Sequence, residues 1–269
     1  MEKEEEKEEK LIEKLELREK RYIAEQLIKE KRSEEMEALE EVFDKPTLMI
    51  IYRMLNRGIL KKLFGVVKAG KESRVYWGKS KESDVAVKIY LTTSKEFRKG
   101  MLTYIEGDPR FKKVSKETRA LIYLWAKKEF KNLQLAYAAK INVPKPITVE
   151  GNVLIMKFIG KAGEPAPILK EASLEKPTKI YNEILNYIYL LYNKAKLVHG
   201  DISEYNIMIW KNKPVLFDFA QAVSISHPMA YDLLYRDVKN ITFYFQKLGV
   251  KTKNVDEFVK KVVENIWVK

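Results

Sequence analysis

The chain has 269 residues, 46% of them hydrophobic and 33% charged, with a formal net charge of +13 and no cysteine. That length suits one bilobal domain or two small ones with a sizeable core. Lack of cysteine excludes a disulfide framework and any thiolate zinc site, and the apolar runs are too short to span a bilayer, so a cytoplasmic protein with no membrane partner is expected.

Met1–Glu41 contains neither Pro nor Gly and is rich in Glu and Lys, which predicts a long exposed helix. The first 45 residues carry 17 acidic and 11 basic side chains, a net of −6, which leaves +19 on the rest. A body this basic points to a polyanionic partner, RNA first; the plainer reading is a solvated lysine-rich surface. Pro46 opens a helix over Thr47–Asn56 that Gly58 ends. Leu63–Ala69, Ser73–Gly78 and Asp84–Leu91 read as three strands rich in Val, Tyr and Ile. Thr92–Thr118 is polar, contains Gly100, Gly107 and Pro109, and reads as an irregular mobile insert. Ser115 is placed to cap a helix running to about Lys140, stopped by Val143-Pro144-Lys145-Pro146. A hairpin of Ile147–Glu150 and Val153–Ile159 turns at Gly151-Asn152. Gly160–Pro167 reads as a linker, Lys179–Lys196 as a helix, Ile207–Ile209 and Val215–Phe217 as a short hairpin, and the last fifty residues as helical. The order predicts an α+β fold. Its parts are a charged helical extension over 1–45, a sheet-bearing lobe over 46–159 with an insert at 92–118, and a reduced helical lobe over 160–269.

The chemistry is concentrated in His199-Gly200-Asp201-Ile202-Ser203-Glu204-Tyr205-Asn206, followed twelve residues later by Asp218 in Leu216-Phe217-Asp218-Phe219. In H-G-D-x-x-x-x-N a tight loop can aim Asp201 and Asn206 at one pocket. Protein kinases use this arrangement with the Asp as base for the acceptor hydroxyl and the Asn and second Asp as Mg²⁺ ligands. A Gly-Asp turn with an unrelated Asp downstream is the bland alternative. Lys88 lies in the apolar run Val85-Ala86-Val87-Lys88-Ile89-Tyr90, one strand after the loop Ala69-Gly70-Lys71-Glu72-Ser73-Arg74-Val75, where a kinase keeps its phosphate-binding lysine. Only Gly70 survives of G-x-G-x-x-G; Lys68 and Ser73 take the other two places. Leu121, Trp125, Glu129 and Leu133 lie four apart on one helical ridge. A carboxylate on such a ridge needs a cation, and Lys88 is the candidate. Gly200 stands where H-R-D has arginine and no Ala-Pro-Glu follows Asp218, so neither a phosphate-read activation switch nor a peptide platform is expected. The activation segment is expected at Ala220–Ser226.

These residues resemble the RIO family of atypical serine/threonine protein kinases, in its first, archaeal-type subfamily. The resemblance covers about Thr47 to Val250. It rests on Gly70-Lys71-Glu72-Ser73, Gly107-Asp108-Pro109-Arg110-Phe111, Lys128-Glu129-Phe130-Lys131-Asn132-Leu133, Pro165-Ala166-Pro167, Ser203-Glu204-Tyr205-Asn206, Gln221-Ala222-Val223 and His227-Pro228-Met229-Ala230. His199-Gly200-Asp201 is closer to the second subfamily, whose winged helix is not readable in Met1–Gly65. The resemblance implies a bilobal protein-kinase-like fold with a truncated helical C-lobe. It implies ATP with Mg²⁺ or Mn²⁺, ATP contacts from Gly70, Lys71, Ser73, Val75, Lys88 and Glu129, and a hinge at Lys157-Phe158-Ile159 preceded by Met156. It implies autophosphorylation, with Ser115, Thr93 and Ser94 as candidate hydroxyls, and a phospho-aspartate on Asp218. It also implies ATP turnover in small-ribosomal-subunit maturation, with the pre-ribosomal subunit or its RNA as partner and no particular protein substrate named. Aminoglycoside- and choline-type kinases share H-G-D-x-x-x-x-N and form the enzyme alternative, but they usually have larger helical lobes with acidic substrate sites. An ATP-binding RNA scaffold is the non-catalytic one.

Overall fold

A computed structural model describes residues 43–91, 100–111, 114–115 and 117–266. The chain divides into two compact units, Met1–Met49 and Ile50–Lys269, and every described strand belongs to the second. The predicted helix Met1–Glu41, Thr93 and Ser94 lie outside the described residues.

Helix α1, Lys45–Asn56, starts slightly earlier than its proline suggests, because the Asp44 side chain accepts from the Thr47 N–H at 3.1 Å and caps the first turn. Strands β1 (Lys62–Ala69), β2 (Ser73–Lys79) and β3 (Asp84–Tyr90) form an antiparallel meander. The chain then leaves through helix α2, Thr118–Ala138, and returns as β4 (Pro146–Glu150) and β5 (Val153–Lys157). The sheet order is β1-β2-β3-β5-β4, so β5 pairs with β3 and β4 forms the edge. The two central strands are the most continuously apolar, Asp84-Val-Ala-Val-Lys-Ile-Tyr90 and Val153-Leu-Ile-Met-Lys157, and both are buried along most of their length. α2 packs across β4 and β5.

Four expectations are corrected. Ser115 does not cap α2: Glu117 is the N-cap and makes no side-chain bond, while the Ser115 hydroxyl accepts from the Glu117 N–H at 3.2 Å in the turn before the helix. The insert is not irregular throughout. Residues 100–103 are helical, and Met101 and Ile105 are buried against Leu121, Ile122 and Trp125 of α2. The linker is a small hairpin of β6 (Gly160–Lys161) and β7 (Glu164–Pro165), where a Cβ on Gly160 would meet the Glu164 carbonyl at 2.1 Å. The helix expected over Lys179–Lys196 is α3, Pro177–Leu190, with Pro177 in its first turn. It widens into a π-turn at Leu191–Ala195 and ends on left-handed Lys196.

Beyond it come β8 (Leu197–Val198), the hairpin β9 (Ile207–Trp210) and β10 (Lys213–Leu216), and β11 (Val223–Ser224), which pairs back onto β8. Helices α4 (Ala230–Lys247) and α5 (Val255–Val263) follow, the latter capped by the Asn254 side chain on the Glu257 N–H at 3.1 Å. Sheet first and helices afterwards make the second unit α+β.

Candidate active site

The centre of the site is a lysine in the middle of the sheet. Lys88 is 5% exposed on β3, opposite Val75 of β2 and Leu154 of β5. Its Nζ lies 2.9 Å from Glu129 Oε1 and 2.9 Å from Asp218 Oδ1. Glu129 is 0% exposed, on the α2 ridge whose Leu121, Trp125 and Leu133 are buried too. Tyr90, two residues beyond Lys88 and so on the same strand face, donates its hydroxyl to Glu129 Oε2. Burial works against the Lys88 ammonium, but Asp218 and Glu129 outweigh it and hold its pKa above the usual lysine value. For Glu129 burial wins over Lys88 and raises the carboxyl. For Asp218 burial loses to Lys88, helped by His199 and Lys68, and the carboxyl stays below its usual value.

Asp218 follows β10 directly and has φ +62°, a left-handed conformation costly for a residue with a Cβ. Its side chain is 41% exposed. The residue before it is held twice: the Phe217 N–H donates to the Asn206 carbonyl at 3.2 Å, and His199 Nε2 is 3.1 Å from the Phe217 carbonyl. Burial pushes the His199 imidazole down to about 4, so near neutral pH it is uncharged and donates from Nε2. Asn206 Nδ2 donates to the Asp201 carbonyl at 2.9 Å and to Asp201 Oδ2 at 2.7 Å, which closes the D-x-x-x-x-N loop on itself. Burial and then Asp218 raise the Asp201 carboxyl, with Asn206 opposing.

Asp237 of α4, unnamed by the sequence reading, grips this loop. It accepts from the Gly200 N–H at 2.7 Å and the Ile202 N–H at 2.8 Å, one on either side of Asp201. Arg236 donates to the Gly200 carbonyl. Gly200 itself has φ +78°, where the arginine of H-R-D would be strained. Leu233, Asp237 and Ile241 lie four apart on a buried ridge, so the criterion that singled out Glu129 also finds Asp237. Burial pushes its carboxyl up to about 7, against the two N–H donors and Arg236. A raised carboxyl contributes stability in full below the unfolded value near 4 and loses it as pH rises through about 7. The Tm of the native chain minus that of Asp237→Asn is therefore expected to shrink between pH 5 and pH 8 at fixed ionic strength. A difference that grows over that range would contradict the assignment.

The loop between β1 and β2 is tied by the Gly70 N–H to the Ser73 carbonyl at 2.9 Å and by the Leu91 N–H to the Glu72 carbonyl at 3.0 Å. Lys71 is exposed. The Glu72 carboxyl is raised by partial enclosure and by Asp218, with Lys88 opposing and Asp201 adding to the rise. Lys68 places its ammonium 5.4 Å from the Phe217 ring centre, so the residue that breaks the glycine pattern reaches towards the Asp218 loop. At the expected hinge, Met156 pairs with Ala86 and both Met156 and Phe158 are buried. Two of its backbone groups are already engaged, the Phe158 N–H with the Asp84 carbonyl at 3.1 Å and the Ile159 carbonyl with the Ala166 N–H at 2.9 Å. The structure thus gathers Lys88, Glu129, Asp218, Asp201 and Asn206 at one place, with Gly70, Ser73 and Val75 on the adjoining loop and strand.

Comparison with known proteins gives consistent results. The family model for the RIO domain matches residues 74–258. The chain is similar to the RIO-type serine/threonine-protein kinase Rio1 of Methanocaldococcus jannaschii, 40% identical over 230 residues, covering 85% of this chain and 79% of that one. It is also similar to its counterpart in Haloferax volcanii, 37% identical over 220 residues, covering 81% and 75%. Among solved structures, the Rio2 kinase of Chaetomium thermophilum in its ADP/Mg²⁺-phosphoaspartate complex superposes with a TM-score of 0.61 at 20% identity. That match covers 80% of this chain and 65% of the other, and establishes a shared kinase-like fold.

Proposed function

This chain belongs to the RIO domain family and is a RIO-type serine/threonine-protein kinase, and on that basis we propose that it transfers the γ-phosphate of ATP with Asp201 as base, Lys88 on the phosphates, and Mg²⁺ held by Asn206 and Asp218. The observation that carries this reading is the meeting of Lys88, Glu129 and Asp218 beside the Asp201–Asn206 loop. Family membership removes the aminoglycoside- and choline-type alternatives.

Each residue has a physical task. Glu129 and Tyr90 fix the Lys88 ammonium in a buried place where it remains charged. Asp201, with its raised pKa, can accept the proton of a Ser or Thr hydroxyl. Asp218 stays ionised. Amide and carboxylate oxygens of Asn206 and Asp218 are hard ligands suited to Mg²⁺, and Mn²⁺ would fit the same set. Among the described residues no group of three His, Cys, Asp or Glu could hold a metal. Bound by Asn206 and Asp218, Mg²⁺ would supply positive charge to the transferring phosphoryl group. The phosphoaspartate of the Rio2 complex supports Asp218 as an acceptor in this chain. Its carboxylate oxygen would bond to the γ-phosphorus as the bond to ADP breaks, and water would later release phosphate.

The purified 269-residue chain incubated with γ-labelled ATP and Mg²⁺ is expected to release phosphate and to label itself. Failure to do either, with and without added small ribosomal subunits, would sink the proposal. Ser115 in the turn before α2 is a candidate self-acceptor. The pre-small-ribosomal subunit or its RNA is the proposed partner and the cytoplasm the proposed location. The +19 carried by the chain after residue 45 supports a polyanionic partner. Affinity for a ribosomal RNA fragment should then fall at least about tenfold between ~50 and ~200 mM salt, in filter binding or anisotropy. An affinity flat in salt would remove RNA phosphates as the contact. Among the described residues no helix is long and apolar enough to cross a membrane.

A further inference from the structure

The segment after Asp218 turns its carbonyls inward, and two buried side chains of α2 receive them. Lys128, 0% exposed, donates from Nζ to the Ala220 carbonyl at 2.8 Å and the Ala222 carbonyl at 2.6 Å. Asn132, also 0% exposed and one turn further along, donates from Nδ2 to the Phe219 carbonyl at 2.9 Å and the Ala222 carbonyl at 2.8 Å. The remaining oxygen of Asn132 accepts from Arg110 Nη1 at 2.7 Å. Arg110 is gripped in turn by Asp108, Nε to Oδ1 at 2.9 Å and Nη2 to Oδ2 at 2.6 Å. Asp108 Oδ2 also accepts from the Ser224 N–H at 3.4 Å. Close by, His227 Nε2 is 2.9 Å from the Glu106 carbonyl, and Gly107, at φ +88°, lies so near Pro228 that a Cβ would come within 2.9 Å of its ring.

Stability alone does not call for such an arrangement. A buried lysine and asparagine lose hydration that apolar residues of the same size would not. What they provide is direction: donors at fixed points on a helix, holding three carbonyls of a segment with little regular structure. Asp218 has a left-handed backbone, which persists only when the chain on both sides over-determines it. Asn206 and His199 hold the side before it. Lys128 and Asn132 hold the side after it. α2 also carries Glu129, so one helix sets both the position of Lys88 and that of its second carboxylate.

We infer that Lys128 and Asn132 are positioning residues that aim the Asp218 carboxylate at Lys88 and the Asp201–Asn206 loop, and that Arg110 with Asp108 extends this hold to residues 106–111, making that part of the insert a component of the active site. The inference rests on the proposed metal-binding role of Asp218 for its effect on turnover, but not for its effect on the segment itself.

The test uses the full chain as Lys128→Met, Asn132→Leu and Arg110→Ala. Arg110 lies at the edge of the cluster, with its side chain 24% exposed, so it decides the matter should a buried variant fail to fold. Two quantities are measured: amide hydrogen exchange of the nucleotide-free protein, and the Mg²⁺ concentration for half-maximal single-turnover transfer at saturating ATP. Exchange across 218–224 is expected to rise about tenfold in each folded variant, with β9, β10 and α4 within about twofold of the native chain. The Mg²⁺ requirement is expected to rise about tenfold while ATP half-saturation at high Mg²⁺ barely changes. Arg110→Ala and Asn132→Leu should be non-additive, as members of one hydrogen-bonded chain. Unchanged exchange at 218–224, or a rise spread evenly over Ile50–Lys269, would overturn the inference. A native chain without Mg²⁺-dependent transfer would instead defeat the proposed function, and the exchange measurement would still decide the positioning.

Discussion

Asp218→Asn is expected to reduce phosphoryl transfer by about a thousandfold, the scale of losing a preorganised charge at the reacting group. The side chain keeps its size, and its remaining carbonyl oxygen can still accept from Lys88, so folding should be little affected. Three properties disappear together: a hard anionic ligand for Mg²⁺, the leading counter-charge of Lys88, and the candidate acceptor of the phosphoryl group. Rapid-quench single turnovers at saturating ATP and Mg²⁺ measure the first two. Hydroxylamine-sensitive label on the protein measures the third, since an acyl phosphate is cleaved by hydroxylamine and a phosphoserine is not. Native-like rates in this variant would mean that the Lys88–Asp218 contact is structural.

Asp201→Ala is expected to lower transfer to hydroxyl acceptors by about a hundredfold to ten-thousandfold, the usual worth of a positioned base. ATP half-saturation should hardly move, because Asp201 acts on the acceptor and not on the nucleotide. A carboxylate nucleophile needs no base. The hydroxylamine-sensitive label should therefore still form in this variant, and accumulate if Asp201 also activates the water that removes it. Loss of both kinds of label in equal measure would point to collapse of the loop that Asp201 closes with Asn206, and Asp237→Asn, which loosens that loop from the other side, supplies the comparison.

Much of the molecule was readable because local pattern and tertiary role coincide. The continuous apolar runs of β3 and β5 marked them as strands, and the ridge ending in Leu133 marked Glu129 as a carboxylate that needed a cation. What stayed hidden depends on contacts between distant parts of the chain. The insert read as irregular because Gly107, Pro109 and many charges masked Met101 and Ile105, whose spacing of four is one apolar stripe. The π-turn at Leu191–Ala195 has helix-compatible residues, and packing sets its width. Lys128 and Asn132 stood in the sequence only as members of the run Lys128–Leu133, without a role; the acceptors of Lys128 lie 92 and 94 residues away, at positions with no side-chain signature. Asp237 could have been found, since its ridge on α4 is as clear as that of Glu129.

The order of the site along the chain has a consequence for its birth. Lys88 meets Glu129 across 41 residues and Asp218 across 130. At a synthesis rate of roughly 5–20 residues per second, Lys88 waits on the order of ten seconds for its second carboxylate. For most of that interval the ammonium has Glu129 alone and lacks the carboxylate that weighs most in holding its charge. The site is complete only once the chain beyond β10 has been made, and a chain truncated before Asp218 is expected to remain a client for chaperones.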